Sequence, residues 1–140
     1  ASSGGDRRVY RDDLLAFCAQ NGFRADGVVI RQTLLVGFSV ALASRLAVEL
    51  TRDGQSPILC PCPLHALWEA ARGAGVAAWT VGIDVGAVGR AESVGLARFL
   101  ETHLASVRCV ALLPDDMRLT VLDGFDGVAV DVGALLELLR

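Results

Sequence analysis

Apolar residues in this chain alternate between short β-branched runs and longer stretches in which they recur every three or four positions. The first such stretch, residues 10–20, places Tyr10, Leu14 and Cys18 on one face and Asp12 and Asp13 in its first turn. Asn21-Gly22 is a plausible stop, so a helix is expected there. The run Val28-Val29-Ile30 predicts a strand over 25–33. A second helix is expected over 37–50. Leu35, Leu42, Leu46 and Leu50 repeat near a 3.6 period, and Arg45, Glu49 and Arg52 share the opposite face. Asp53-Gly54 turns the chain into a short strand, Pro57 to Cys60.

After Cys60-Pro61-Cys62-Pro63 comes the cleanest amphipathic pattern. Leu64, Leu67, Trp68 and Ala71 read as the core face, and His65, Glu69 and Arg72 as the wet face. Gly73 and Gly75 end this helix, and a strand over 76–83 follows. Residues 84–89 read as a glycine-rich loop, 92–104 as a helix, 107–113 as a strand and 114–116 as a turn. Strands over 118–122 and 128–130 are expected next, then a helix bearing Val132, Leu135, Leu136 and Leu139. This order predicts an α/β fold: a mostly parallel sheet with helices packed on its faces, built from βαβ units. Pro57 to Asp84 forms one such crossover, with its chemistry at the carboxyl edge of a strand. Residues 1–9 read as a flexible N-terminal tail and 10–140 as a single domain.

Composition sharpens this picture. A hydrophobic fraction of 53% and a mean hydropathy of +0.48 are high for a domain of 140 residues. They suit several sheet-buried strands or a surface covered in a dimer. The longest nearly uncharged apolar run, residues 33–44, has 12 residues, short of the roughly 20 needed to cross a bilayer. No signal-peptide pattern is visible, and a membrane location is not expected. A net charge of −3 gives no general attraction to nucleic acid. All 13 basic residues are arginine, so Schiff-base chemistry by this chain alone is excluded. Four cysteines without a disulfide-framework spacing point to a reducing, cytoplasmic compartment.

The candidate chemistry centres on the CPCP turn. A thiol at a helix N-terminus meets unpaired amides and the positive dipole end, which favour thiolate. Cys60 and Cys62 therefore read as reactive thiols, or else as small buried hydrophobes. Cys60, Cys62 and His65 do not make up a tetrahedral metal set, and no metal is expected. His65 lies on the wet face; at a pocket rim its ring could stack on a planar ligand. Asp84 and Asp115-Asp116 follow strands and read better as turn residues than as site residues. No dinucleotide fingerprint, phosphate-binding loop or catalytic triad order is present.

Two resemblances bear on function. Gly37-Phe38-Ser39-Val40-Ala41-Leu42, Ile58-Leu59-Cys60-Pro61 and Thr80-Val81-Gly82-Ile83-Asp84 fall in an order similar to the cofactor domain of DegT/StrS-type pyridoxal-phosphate aminotransferases. That resemblance implies pyridoxal phosphate as cofactor, with Gly37 and Ser39 at its phosphate and His65 stacked on its ring. Phe38 stands where that family has threonine. Without lysine the chain would be a non-catalytic or incomplete relative, working as a binding or assembly subunit, as a homodimer or in a larger complex. Separately, Cys60-Pro61-Cys62-Pro63 resembles the CPxP motif of small sulfur-carrier proteins, which implies a persulfide on Cys60. Sheet order separates the two: the carriers imply a mixed sheet, the aminotransferases a parallel one covered on both faces.

Overall fold

The computed structural model describes residues 31–73, 75–117 and 122–140. The helix expected over 10–20, most of the strand over 25–33 and residues 118–121 of another expected strand lie outside them.

Five strands make one sheet: β1 Arg31–Val36, β2 Pro57–Cys60, β3 Ala78–Asp84, β4 Val107–Leu112 and β5 Gly127–Ala129. Their order is β2-β1-β3-β4-β5 and every neighbouring pair is parallel. The helices are α1 Val40–Arg52, α2 Pro63–Arg72, a single turn α3 Val85–Val88, α4 Arg90–His103 and α5 Val132–Leu139. The expected parallel α/β architecture is therefore present, and β2 and β3 lie in the same sheet with β1 between them.

Alternation along β1 divides the core. Leu35 points to one face, where Leu46 and Leu50 of α1 and Leu135 and Leu139 of α5 cover it. Leu34 and Val36 point to the other, joining Val81, Ile83, Cys60 and Cys109 beneath Ala66 of α2 and Leu96 and Leu100 of α4. Parallel sheets need both faces covered, and the buried β-branched residues of β1 and β3 meet that demand. Among the described residues no helix is long and apolar enough to cross a membrane.

Several boundaries differ from expectation. The expected helix over 37–50 starts at Val40 because Leu34 to Val36 complete β1 and Ser39 caps α1, its Oγ accepting from the Leu42 amide at 3.3 Å. The expected loop over 84–89 contains the helical turn α3, opened by Asp84, whose Oδ1 accepts from the Gly86 amide at 3.1 Å. Leu122, at the end of the strand expected over 118–122, is not in a strand. Residues 113–126 thus pass from β4 to β5 with no α-helix among those described, only a 3-10 turn at Asp115–Met117. Leu113, Leu122 and Val85 are buried together there, with Met117 and Phe125 against them. Asp126 pins this connection to β4: its Oδ2 accepts from the Cys109 amide at 2.9 Å, and its own amide donates to the Cys109 carbonyl at 2.8 Å.

The largest departure is the rotation of α2. Ala66 and Glu69 face the sheet and Leu64, Trp68 and Ala71 face solvent, against expectation, whereas Leu67 packs on the core and Arg72 stays exposed as expected. Small residues let this helix lie close: at Gly73 a Cβ would stand 2.3 Å from Cζ2 of the buried Trp79. A large side chain on that face would lift the helix off the sheet.

Gly73→Ala is accordingly expected to lower stability by about 1–3 kcal/mol through overpacking. Urea unfolding of the variant against the parent chain measures this.

Candidate functional site

In a doubly wound sheet, ligands favour the crevice beyond the carboxyl ends of the strands, where the strand order reverses. Here that point lies between β1 and β3. Gly37 leaves β1 with φ +81° and donates its amide to the Cys60 carbonyl at 2.9 Å. A Cβ on Gly37 would stand 2.5 Å from Val88 Cγ2 and 3.7 Å from the Asp84 carbonyl oxygen. The α3 turn is therefore packed directly onto the end of β1, with Val85 fully buried beneath it. Phe38 is buried as well, against α1. The chain fills its own switch-point crevice with aliphatic groups.

Two carboxylates at this edge serve as caps, while Asp115 and Asp116, which follow β4, are exposed in a 3-10 turn. Asp84 caps α3, and Asp131 caps α5, its Oδ1 accepting from the Ala134 amide at 2.8 Å. Among the described residues no group of three or more His, Cys, Asp or Glu side chains is placed to hold a metal ion.

Of the candidate residues, Gly37 and Ser39 sit together at the head of α1, and Cys60 ends the neighbouring strand. His65 stands apart on α2, its Nε2 3.7 Å from Glu69 Oε1. Cys62 is the exposed N-cap residue of α2, with no side-chain capping bond. Cys60 is buried, and its thiol is pushed up to about 12 by burial first, then by the nearby Glu69 carboxylate and Cys62. Cys109 on β4 is likewise pushed up to about 12 by burial, with Asp126 and Glu101 adding to it. At neutral pH both are protonated core thiols, not nucleophiles.

Two features escaped the sequence reading: the plug at α3 and the inward turn of Glu69. The first had a signal. Asp84 followed by Val85 and Val88 is an N-cap with an i, i+3 apolar pair. The second was masked by the stronger apolar stripe of Leu64 and Trp68, although Ala66 and Gly73 mark the face that lies close.

No protein-family model matches the chain, and no curated protein matches it. Solved structures do. The response regulator TrrA from Thermotoga maritima, in complex with Mg2+-BeF, is 16% identical with a TM-score of 0.61, over 79% of this chain and 93% of that one. A co-crystal of the Saccharomyces cerevisiae phosphotransfer protein Ypd1 with the receiver domain of the response regulator Ssk1 gives 18% and 0.60, over 79% of this chain and 87% of that one. Another Thermotoga maritima response regulator gives 14% and 0.57, over 79% and 94%. The chain has the five-stranded parallel α/β fold seen in response-regulator receiver domains.

This finding overturns both resemblances. The structural neighbours are receiver domains, not aminotransferase cofactor domains or sulfur carriers. The carrier reading also conflicts with an all-parallel sheet and with a buried Cys60. Each motif encoded a strand-to-helix turn at a parallel-sheet edge, a local feature that unrelated doubly wound folds share.

Two outcomes follow. Iodoacetamide on the native chain is expected to modify Cys62 and spare Cys60 and Cys109 until denaturant is added, as fragment-ion mapping will show. Because the two buried thiols titrate higher folded than unfolded, their contribution to stability is complete below about pH 9 and is lost as pH rises toward about 12. Melting temperature should therefore fall more steeply over that window in the parent chain than in Cys60→Val/Cys109→Val.

Proposed function

We propose that this chain is a receiver-like signalling module that acts as a subunit, through protein contacts, without metal-dependent chemistry at its carboxyl edge. The observation that carries the reading is the breadth of the structural match, which takes in 93% of the TrrA chain while the equivalent edge here is plugged by its own α3 turn. That the Ssk1 receiver domain was seen with a phosphotransfer protein supports docking as the mode of action.

The TrrA structure contains Mg2+-BeF, so the fit of such a group can be judged from the donors present. A magnesium ion takes near-octahedral oxygen coordination and is held by one or two carboxylates with waters and the bound anion. At the switch point β1 is followed by Gly37 and Phe38, which bring no carboxylate, and Asp84 is engaged as a cap. The chain has no lysine to meet an anion. These residues do not fit the group.

Thermal melting with magnesium and beryllofluoride tests this. No change in melting temperature is expected. A saturable, magnesium-dependent rise that disappears in Asp84→Asn would overturn the reading.

A further inference from the structure

The sheet face beneath α1 and α5 changes character along its strands. Register aligns Leu35, Gly82 and Val110 across β1, β3 and β4, under the leucines of α1 and α5. Two residues back on each strand, the same face carries Thr33, Thr80 and Arg108, and Arg31 lies a further two back on β1. The floor thus passes from aliphatic to hydroxylic and basic toward the amino edge. There it opens into a cleft of about 570 Å³ that Arg31 and Arg108 both line. Charge in this cleft is unbalanced. Among the described residues its one carboxylate is Asp53, which Arg140 holds at 2.7 Å. Neither Arg31 nor Arg108 forms an ion pair among the described residues, and both are exposed.

We propose that this amino-edge cleft binds a phosphate dianion between Arg31 and Arg108, either free phosphate or the phosphate of a small phosphorylated molecule. The strands β1 and β4 flank β3, so the two arginines start about 12 Å apart, two strand spacings across and two residues along. Two extended side chains on one face span that separation and close on a single group between them. A planar guanidinium presents paired N–H donors that match two phosphate oxygens, and each such bond is assisted by charge. Two unpaired cations call for a doubly charged partner, and a phosphate monoester is close to doubly charged at neutral pH. Thr80, half-buried between the two strands, and Ser106 at the rim add hydroxyl donors. The Thr33 hydroxyl is already committed to Gln55 Oε1 at 2.7 Å, and Gln55 in turn donates to the Leu139 carbonyl, which fixes the wall of the cleft. Its volume falls within the range of small-molecule sites and leaves room for whatever the phosphate is attached to. The cleft lies at the far end of the strands from the α3 plug.

Calorimetric titration of the full chain with inorganic phosphate and with glycerol 3-phosphate tests this, at an ionic strength fixed with chloride and without magnesium. Saturable one-to-one binding is expected, and the tighter of the two probes identifies which source the cleft prefers. Arg31→Gln and Arg108→Gln should each weaken binding about tenfold, and the double variant should abolish it, with circular dichroism unchanged. Arg45→Gln, at an exposed position of α1 outside the cleft, should bind as the parent chain does. Failure of the full chain to bind either probe would overturn the proposal. Binding that survives in the double variant, or that falls equally in Arg45→Gln, would overturn it too. None of these results touches the magnesium and beryllofluoride assay, which turns on Asp84, so the two readings stand or fall separately.

Discussion

The structure depends on burying both faces of β1, β3 and β4. These inner strands carry Leu34, Leu35 and Val36, then Val81, Gly82 and Ile83, then Cys109, Val110 and Ala111, with no charge in any of the three triplets. A parallel ladder of this kind cannot leave one face wet, so a helical layer must be supplied on each side. Where α5 lies against β3 the sequence shrinks: a Cβ at Gly82 would meet Leu139 at 3.2 Å. The high mean hydropathy has its first explanation here.

The same constraint sets the orientation of α2. This helix spans the β2 and β1 side of the sheet, and its inward residues are Ala66, Glu69 and Gly73, with the Trp79 ring closing against the last. Close approach turns Leu64 and Trp68 outward. Apolar surface that a looser packing would have buried is left exposed among the described residues, a second share of the hydrophobic excess. Burial of the Glu69 carboxylate is tolerated because His65 and Arg72 flank it.

Much of the fold was legible in local pattern. The β2 strand, α2 and α5 announced themselves through the preceding Asp53-Gly54 turn, proline at a helix start and leucine spacing. Parallel alternation followed from their order. The strand order did not, because pairing of β1 with both β2 and β3 is long-range and leaves no local mark. Leu34 and Val36 were assigned to no element and Leu35 was counted into the helical repeat, since a strand buried on both faces has no alternation to read. Family resemblance failed for a related reason: Gly37 and the CPCP turn mark strand ends, and strand ends of this type occur in many doubly wound folds. The candidate site was half legible. Gly37, Ser39 and Cys60 do share one edge, whereas the suppressed ionisation of Cys60 comes from its burial and then from Glu69, which no local pattern shows.

At the opposite, amino edge, polar side chains join distant parts of the chain. Gln55, just before β2, accepts from Thr33 Oγ1 of β1 at 2.7 Å and donates to the Leu139 carbonyl at 2.9 Å. Gln32 reaches the Ser56 carbonyl, and Arg140 pairs with Asp53 at 2.7 Å. These links run from one outer strand to the final helix, beneath which α1 also packs. Loosening of α5 is thereby coupled to loosening of the β2 margin, and the two regions are expected to exchange their amide protons as one cooperative unit.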